Sequence, residues 1–368
     1  MIQDSTSKTK MTFERENIRR MTGYTPGEQP DVADVVKLNT NENPYPPAGA
    51  VIEALRGIDA EALRRYPPAT ARPFREIAAR VHGLSPENVI ATNGGDELLR
   101  MTITTFVDPH QPVGVAEPSY SLYPVLAAIH DCPVVRVPLN ADWSIPSDFA
   151  KRMNDEGAKL VILVNPHAPS GRLTSIDQLA CIAADLDGVL LIDEAYVDFV
   201  DPEVNHDAVQ LVKQYENVLL LRTLSKGYSL AGLRFGYGMG SVSLIHPMLT
   251  KTKDSYNVDV VAQRLAEAAL KSRGEAAKTW TAVRTERKRL TERLNALGFS
   301  CPESQSNFVL ARMSESAEAG ARRLYESLKE LNIFVRYFDQ DRLRDKLRIT
   351  IGRPEENDAL LHALEELL

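Results

Sequence analysis

The stretch Arg222-Thr223-Leu224-Ser225-Lys226-Gly227 sets a lysine among hydroxyls, and a second cation, Arg234, follows eight residues on. It comes straight after Val218-Leu219-Leu220-Leu221, an apolar run of the kind that makes a buried strand. A lysine taken alone usually packs its stem and leaves its head in water. A lysine whose pKa is lowered by cationic neighbours can instead attack a carbonyl or shuttle a proton. Asp193 ends another apolar run, Gly188-Val189-Leu190-Leu191-Ile192. A semi-buried carboxylate needs a cation or strong donors to stay charged, and Tyr196, three residues on, can reach the same place. An aspartate so placed also suits magnesium in nucleotide hydrolases, but the chain has no G-x-x-x-x-G-K-[ST] loop to accompany it.

Other run ends carry chemistry too. Asn93-Gly94-Gly95-Asp96-Glu97 leads into a helix expected to begin near Leu98, and glycines before a helix N-terminus bind phosphate or simply make a tight turn. Glu117-Pro118-Ser119-Tyr120 offers an aromatic that stacks on a flat ring or packs in the core. Asn165-Pro166-His167-Ala168-Pro169-Ser170-Gly171 reads as a tight turn, and His167, with no visible partner, is expected to face solvent.

The elements that must position these residues are strand-like runs at 88–92, 113–116, 134–137, 160–164, 189–192 and 218–221, with helical stretches such as 175–186 between them. That alternation predicts an α/β fold with a mostly parallel sheet covered on both faces. Beyond residue 255 a charged helix from 260 to about 297 is expected, then short strands at 308–311, 333–336 and 347–351, with helices between. The chain is thus expected to divide into an arm (1–38) that joins a smaller domain, a large domain (39–255) and a smaller α+β domain (256–368). Ligands of open α/β sheets gather outside the carboxyl ends of the strands. One rim would therefore carry a phosphate cup, an aromatic plate, a carboxylate, a lysine and an arginine. A flat, phosphorylated heteroaromatic aldehyde uses every one of them, and pyridoxal phosphate is such a molecule. Lysine bonds its aldehyde, and a carboxylate keeps its ring nitrogen protonated.

The 368 residues are 43% apolar and carry a net charge of −7, which argues against a nucleic-acid or anionic-membrane surface. No apolar stretch is long enough to cross a bilayer, and the polar start MIQDSTSKTKM lacks a signal-peptide core. Cys132, Cys181 and Cys301 lie far apart without metal spacing, so buried thiols in a reducing cytoplasm, and no metal, are expected.

The motifs LNTNENPYPP, RRYP, ATNGGDELL, EPSYSLY, LIDEAYVDF, RTLSKGYSLAGLRFG and KLRITIG, in this order, resemble the fold-type I pyridoxal-phosphate aminotransferases, and most the histidinol-phosphate aminotransferases, from about Asn17 to the C-terminus. The resemblance implies that Lys226 bonds the cofactor and shuttles the proton, that Asp193 pairs with the ring nitrogen, and that Tyr196 bonds the ring hydroxyl. It further implies that Tyr120 stacks on the ring and that Gly95, Asp96, Thr223, Ser225 and Arg234 hold the phosphate. Tyr66 would reach the cofactor of a neighbouring subunit, making a homodimer with shared active sites. Tyr24, Asn41, Asn307, Arg336 and Arg348 fall where the family binds its amino donor, with 2-oxoglutarate as the acceptor. One position departs: Ala168 stands where many such enzymes carry an asparagine that bonds the ring hydroxyl. Tyr196 alone, Asn165 or His167 would have to compensate. Aromatic amino-acid transaminases and threonine-phosphate decarboxylases share much of this pattern, and a ligand-binding module without turnover is a further alternative.

Overall fold

The computed structural model describes residues 13–31, 34–313 and 318–368. Its strands run, in chain order, β1 (Val36–Lys37), β2 (Val89–Thr92), β3 (Val113–Glu117), β4 (Val134–Pro138), β5 (Leu160–Val164), β6 (Val189–Asp193), β7 (Val218–Thr223), β8 (Gly236–Gly240), β9 (Phe308–Arg312), β10 (Ile333–Phe334), β11 (Arg336–Tyr337) and β12 (Lys346–Thr350). Seven of them form one sheet in the order β2-β8-β7-β6-β5-β3-β4, and β8 alone runs against its neighbours. Side chains alternate between the two faces with period two. Leu160, Ile162, Leu191 and Leu219 thus enter one apolar layer, and Val161, Leu163, Leu190, Ile192 and Leu220 the other. Both layers are covered by helices, which is why the runs are apolar throughout rather than alternating. Any of these fully buried leucines cut to alanine would cost about 2–5 kcal/mol.

The strand order reverses between β3 and β5, because β4 lies outside β3 while β5, β6 and β7 build inward. Such a reversal leaves a crevice at the carboxyl ends of the strands.

Strand β8, Gly-Tyr-Gly-Met-Gly, carries no apolar run. Its glycines answer close packing: a Cβ on Gly238 would come within 2.8 Å of Leu98 in the covering helix Gly95–Phe106. The expected helix over 260–297 is two, Val260–Lys271 and Arg273–Ala296. They part at Ser272, whose hydroxyl returns to the Ala268 carbonyl, and Gly274 just beyond is a poor helix former. The expected strand at 333–336 is also split. β10 pairs in parallel with β1, while β11 joins the antiparallel sheet β11-β12-β9. Cys132 is buried and Cys301 partly so, but Cys181 is exposed, contrary to the buried thiol expected there. It lies on the outer stripe of the helix Ile176–Asp185, opposite the buried Leu179, Ile182 and Ala183.

The smaller sheet is anchored on the large one near the crevice. Arg342 donates to the carbonyls of Leu139 (2.6 Å) and Asn140 (2.7 Å), and its guanidinium lies 4.6 Å from the Trp143 ring.

Candidate active site

The carboxyl ends of β2, β3, β6 and β7, with β11 and β12 opposite, line a cavity of about 280 Å³. Period two puts Asp193 and Thr223 on the cavity side, and Glu194 and Arg222 on the other. Asp193 is buried, with Oδ2 accepting from the Tyr123 hydroxyl (2.8 Å) and Oδ1 from the Ala195 N–H (3.0 Å). Burial still raises its pKa to about 6 against those donors. On the far side Glu194 accepts from Arg222 Nε at 2.9 Å, and His206 Nε2 lies 3.3 Å from its other oxygen. This buried pair ties β6 to β7 beneath the site.

Lys226 follows β7 after one loop residue pair, and its Nζ donates to the Thr40 carbonyl at 2.9 Å. Burial, then the Arg348 charge, lowers its pKa from 10.5 to about 8, with Glu42 acting the other way. A neutral amine is therefore available near neutral pH. The rate at which this amine captures an added aldehyde, pyridoxal phosphate included, should rise with pH and level off above about 8. Stopped-flow absorbance of the apoprotein from pH 6.5 to 9.5 checks this, and a rate still climbing tenfold per unit above pH 9 would show an ordinary surface lysine.

At the end of β2, Gly94 has φ +79° and opens the helix at Gly95, three residues before the expected start. A Cβ on Gly94 would sit 2.8 Å from Arg234 Nη2, so glycine lets the guanidinium lie over the helix N-terminus. Arg234 also faces the Asp96 carboxylate at 3.5 Å. The Thr223 and Ser225 hydroxyls lie 2.9 Å apart beside this cup. Free N–H groups, a guanidinium and two hydroxyls make an anion cradle.

Tyr120 meets Tyr24 edge-on at 5.8 Å and Tyr123 at 5.4 Å. Arg336 and Arg348 face each other across the β11–β12 register. Arg348 lies between Phe308 (5.3 Å) and Phe338 (5.5 Å), and Arg336 lies 5.3 Å from Phe338. Arg348 Nη2 donates to the Asn39 carbonyl at 2.8 Å, while its Nε is buried without a partner.

Of the residues named from the sequence, Tyr24, Asn41, Gly95, Asp96, Tyr120, Asp193, Tyr196, Thr223, Ser225, Lys226, Arg234, Arg336 and Arg348 line this cavity. Asn307 stands behind the wall and donates to the Asn41 carbonyl at 2.9 Å. Tyr66 lies outside the cavity, exposed, and stacks on Tyr256 at 4.4 Å. His167 does not face solvent. It is buried, with Nδ1 2.7 Å from the Ser170 hydroxyl and Nε2 2.8 Å from the Pro118 carbonyl, and burial lowers its pKa to about 4. Asn165 is spent on the Thr174 backbone, accepting at 2.7 Å and donating at 3.1 Å. Neither therefore stands in for an asparagine at 168, and Ala168 lines the cavity with its methyl. Tyr123 and Thr40 are additions. Tyr123 was signalled only by its place three residues after Tyr120, at the start of the helix Leu122–Ile129.

The sequence profile of the class I and II aminotransferases matches residues 33–364. The chain belongs to that family. It is 42% identical over 355 residues to a histidinol-phosphate aminotransferase of Trichormus variabilis, covering 96% of this chain and 98% of that one. It is 41% identical over 360 residues to one from Burkholderia mallei, covering 95% and 97%. Among solved structures, the histidinol-phosphate aminotransferase of Sinorhizobium meliloti in complex with pyridoxal-5'-phosphate superposes with a TM-score of 0.89 at 24% identity, over 98% and 99% of the chains.

Against that family, the cavity fits pyridoxal phosphate. The cradle at Gly94 suits a phosphate, the buried Asp193 carboxyl suits a cationic group such as a protonated ring nitrogen, and Lys226 offers an amine of lowered pKa. Among the described residues no cluster of His, Cys, Asp and Glu is arranged to hold a metal ion.

Proposed function

We propose that this aminotransferase uses pyridoxal phosphate to move the amino group of L-histidinol phosphate to 2-oxoglutarate, giving imidazole acetol phosphate and L-glutamate in histidine biosynthesis. The observation that carries the reading is likeness at 42% identity over 96% of the chain to a protein of that name. The paired Arg336 and Arg348 support it, because two guanidinia suit a phosphate dianion.

Bound pyridoxal phosphate supplies an aldehyde that links to amines and a ring that accepts the electrons of the bond broken at Cα. The chain's residues do the rest. Thr223, Ser225, Arg234 and the backbone N–H groups of Gly95 and Asp96 hold the phosphate. Tyr120 covers one ring face, Asp193 holds the ring nitrogen protonated, and Tyr196 donates to the ring oxygen. Lys226, a buried amine of lowered pKa, would bond the cofactor and would serve as the base that moves the proton at the donor's Cα. Arg336, Arg348 and Tyr24 grip the donor beside Asn41, which Asn307 steadies from behind. The same arginines receive the carboxylates of 2-oxoglutarate in the second half-reaction.

The exposed Tyr66 and Tyr256, with Leu63 and Leu55 also exposed, suit a homodimer in which Tyr66 completes the partner's cofactor site. The division into arm (1–38), large domain (39–255) and small domain (256–368) belongs to the same reading. Among the described residues no helix is long and apolar enough to cross a membrane. Steady-state rates test the donor: kcat/KM for L-histidinol phosphate should exceed that for L-phenylalanine by at least about 100-fold, the worth of two charge-assisted contacts. Equal or higher kcat/KM for phenylalanine would make the chain an aromatic transaminase.

A further inference from the structure

A chain of hydrogen bonds fixes which way the Asn41 amide points. The Asn41 backbone N–H donates to the Thr350 hydroxyl at 3.0 Å, and that hydroxyl donates its own proton to Asn41 Oδ1 at 3.0 Å. Asn307 Nδ2 holds the Asn41 carbonyl at 2.9 Å. The residue sits at φ +57°, a left-handed conformation that asparagine and aspartate tolerate better than most. With Oδ1 taken by Thr350, the group left to meet the Tyr196 hydroxyl at 3.0 Å is Nδ2, which only donates. The tyrosine oxygen therefore accepts from Asn41, and its own proton must turn elsewhere.

Among the described residues the Tyr196 hydroxyl donates to no neighbouring side chain, and those neighbours bond other groups. Both Asp193 oxygens have donors, from Tyr123 and Ala195. His167 and Asn165 are spent on Pro118, Ser170 and Thr174, and Ala168 has nothing to offer. The free direction is the cavity that Tyr196 lines. We propose that Asn41 is a positioning residue for Tyr196: it fixes the hydroxyl as a donor into the cavity, toward the ring oxygen of the cofactor, the task that Asn165, His167 and Ala168 leave undone. The inference rests on the aminotransferase reading above. It also gives Asn307 and Thr350 a reason to be buried behind the site, since both hold Asn41 rather than a ligand.

Asn41→Asp tests it, because aspartate keeps the shape and the left-handed backbone but replaces the donor with an acceptor. The Tyr196 proton would then turn to the carboxylate and be lost to the ring oxygen. Withdrawing a donor raises the proton affinity of an oxygen, so the midpoint of the pH titration of the holoenzyme's visible absorption should rise by about one unit, the size of one hydrogen bond to a charged group. The charged and titratable neighbours of Tyr196, namely Arg348, Asp193 and Tyr24, are the same in every variant. In a Tyr196→Phe background the same substitution should move the midpoint by less than about 0.3 unit, as for sites coupled only through the missing hydroxyl. An unchanged midpoint in Asn41→Asp would overturn the proposal. So would an equal rise in both backgrounds, which would mark the new charge alone as the cause. A wild type whose bound cofactor shows no titrating band would overturn the transaminase reading itself, and this inference with it.

Discussion

Lys226→Ala should lower turnover by roughly 10³-fold to 10⁴-fold or more, since it removes both the amine that bonds the cofactor and the group that moves the Cα proton. Fold should survive. The side chain contributes one hydrogen bond, to the Thr40 carbonyl, worth about 1 kcal/mol net. Removing an amine that burial already disfavours in its charged form relieves part of that cost. The expected variant therefore melts within a few degrees of wild type and still binds pyridoxal phosphate through the cradle at Gly94 and Arg234, but without covalent capture. Borohydride, which locks the lysine-linked cofactor in place, should label the wild type and not the variant. Near-normal turnover in Lys226→Ala would end the assignment.

The second large effect lies one residue away from the chemistry. Arg222→Met should destabilise the fold by about 3–5 kcal/mol, because it leaves a charge buried without its partner. Glu194 has no exposed side-chain surface, and with Arg222 gone its only remaining partner among the described residues is His206 at 3.3 Å. Adding Glu194→Leu to Arg222→Met should recover most of the loss, since apolar groups of similar size replace a buried pair at little cost. Denaturant titrations of the two variants give the comparison. A loss below about 1 kcal/mol in the single variant would mean that water reaches Glu194. Activity in Arg222→Met should fall less than stability, because Arg222 points away from the cavity that Thr223 faces.

The two faces of β6 and β7 also show what the sequence made legible. Six apolar runs located six of the seven strands of the large sheet: the buried ones because strands covered on both faces must be apolar, and the edge strand β4 by its valines, although Arg136 in it is exposed. The seventh, β8, was hidden: glycines that admit the covering helix leave no apolar signature. At the site, strand ends pointed to Asp193, Thr223 and Lys226 without any fold in hand, since ligands of such sheets gather there. What the sequence hid was tertiary pairing. Nothing local to Asn41 says that its amide meets Tyr196, 155 residues away. Nothing local to His167 says that Pro118 and Ser170 enclose it, so solvent exposure was the natural expectation and the wrong one. Glu194, just past the end of β6, and Arg222 on β7 are likewise far apart in sequence, and only the β6–β7 register places them together. The break at Ser272 was written in the residues, as a serine with Gly274 two positions on, but an unbroken charged pattern masked it.

The most direct measurement of the central claim is a single-turnover spectrum of the purified holoenzyme, mixed with L-histidinol phosphate in the absence of 2-oxoglutarate. Loss of the visible band of the lysine-linked cofactor, with one keto product per site and recovery of the band on adding 2-oxoglutarate, is the predicted result. A band that no amino donor changes, histidinol phosphate and phenylalanine included, would contradict the assignment of Lys226 and its cavity to amino-group transfer.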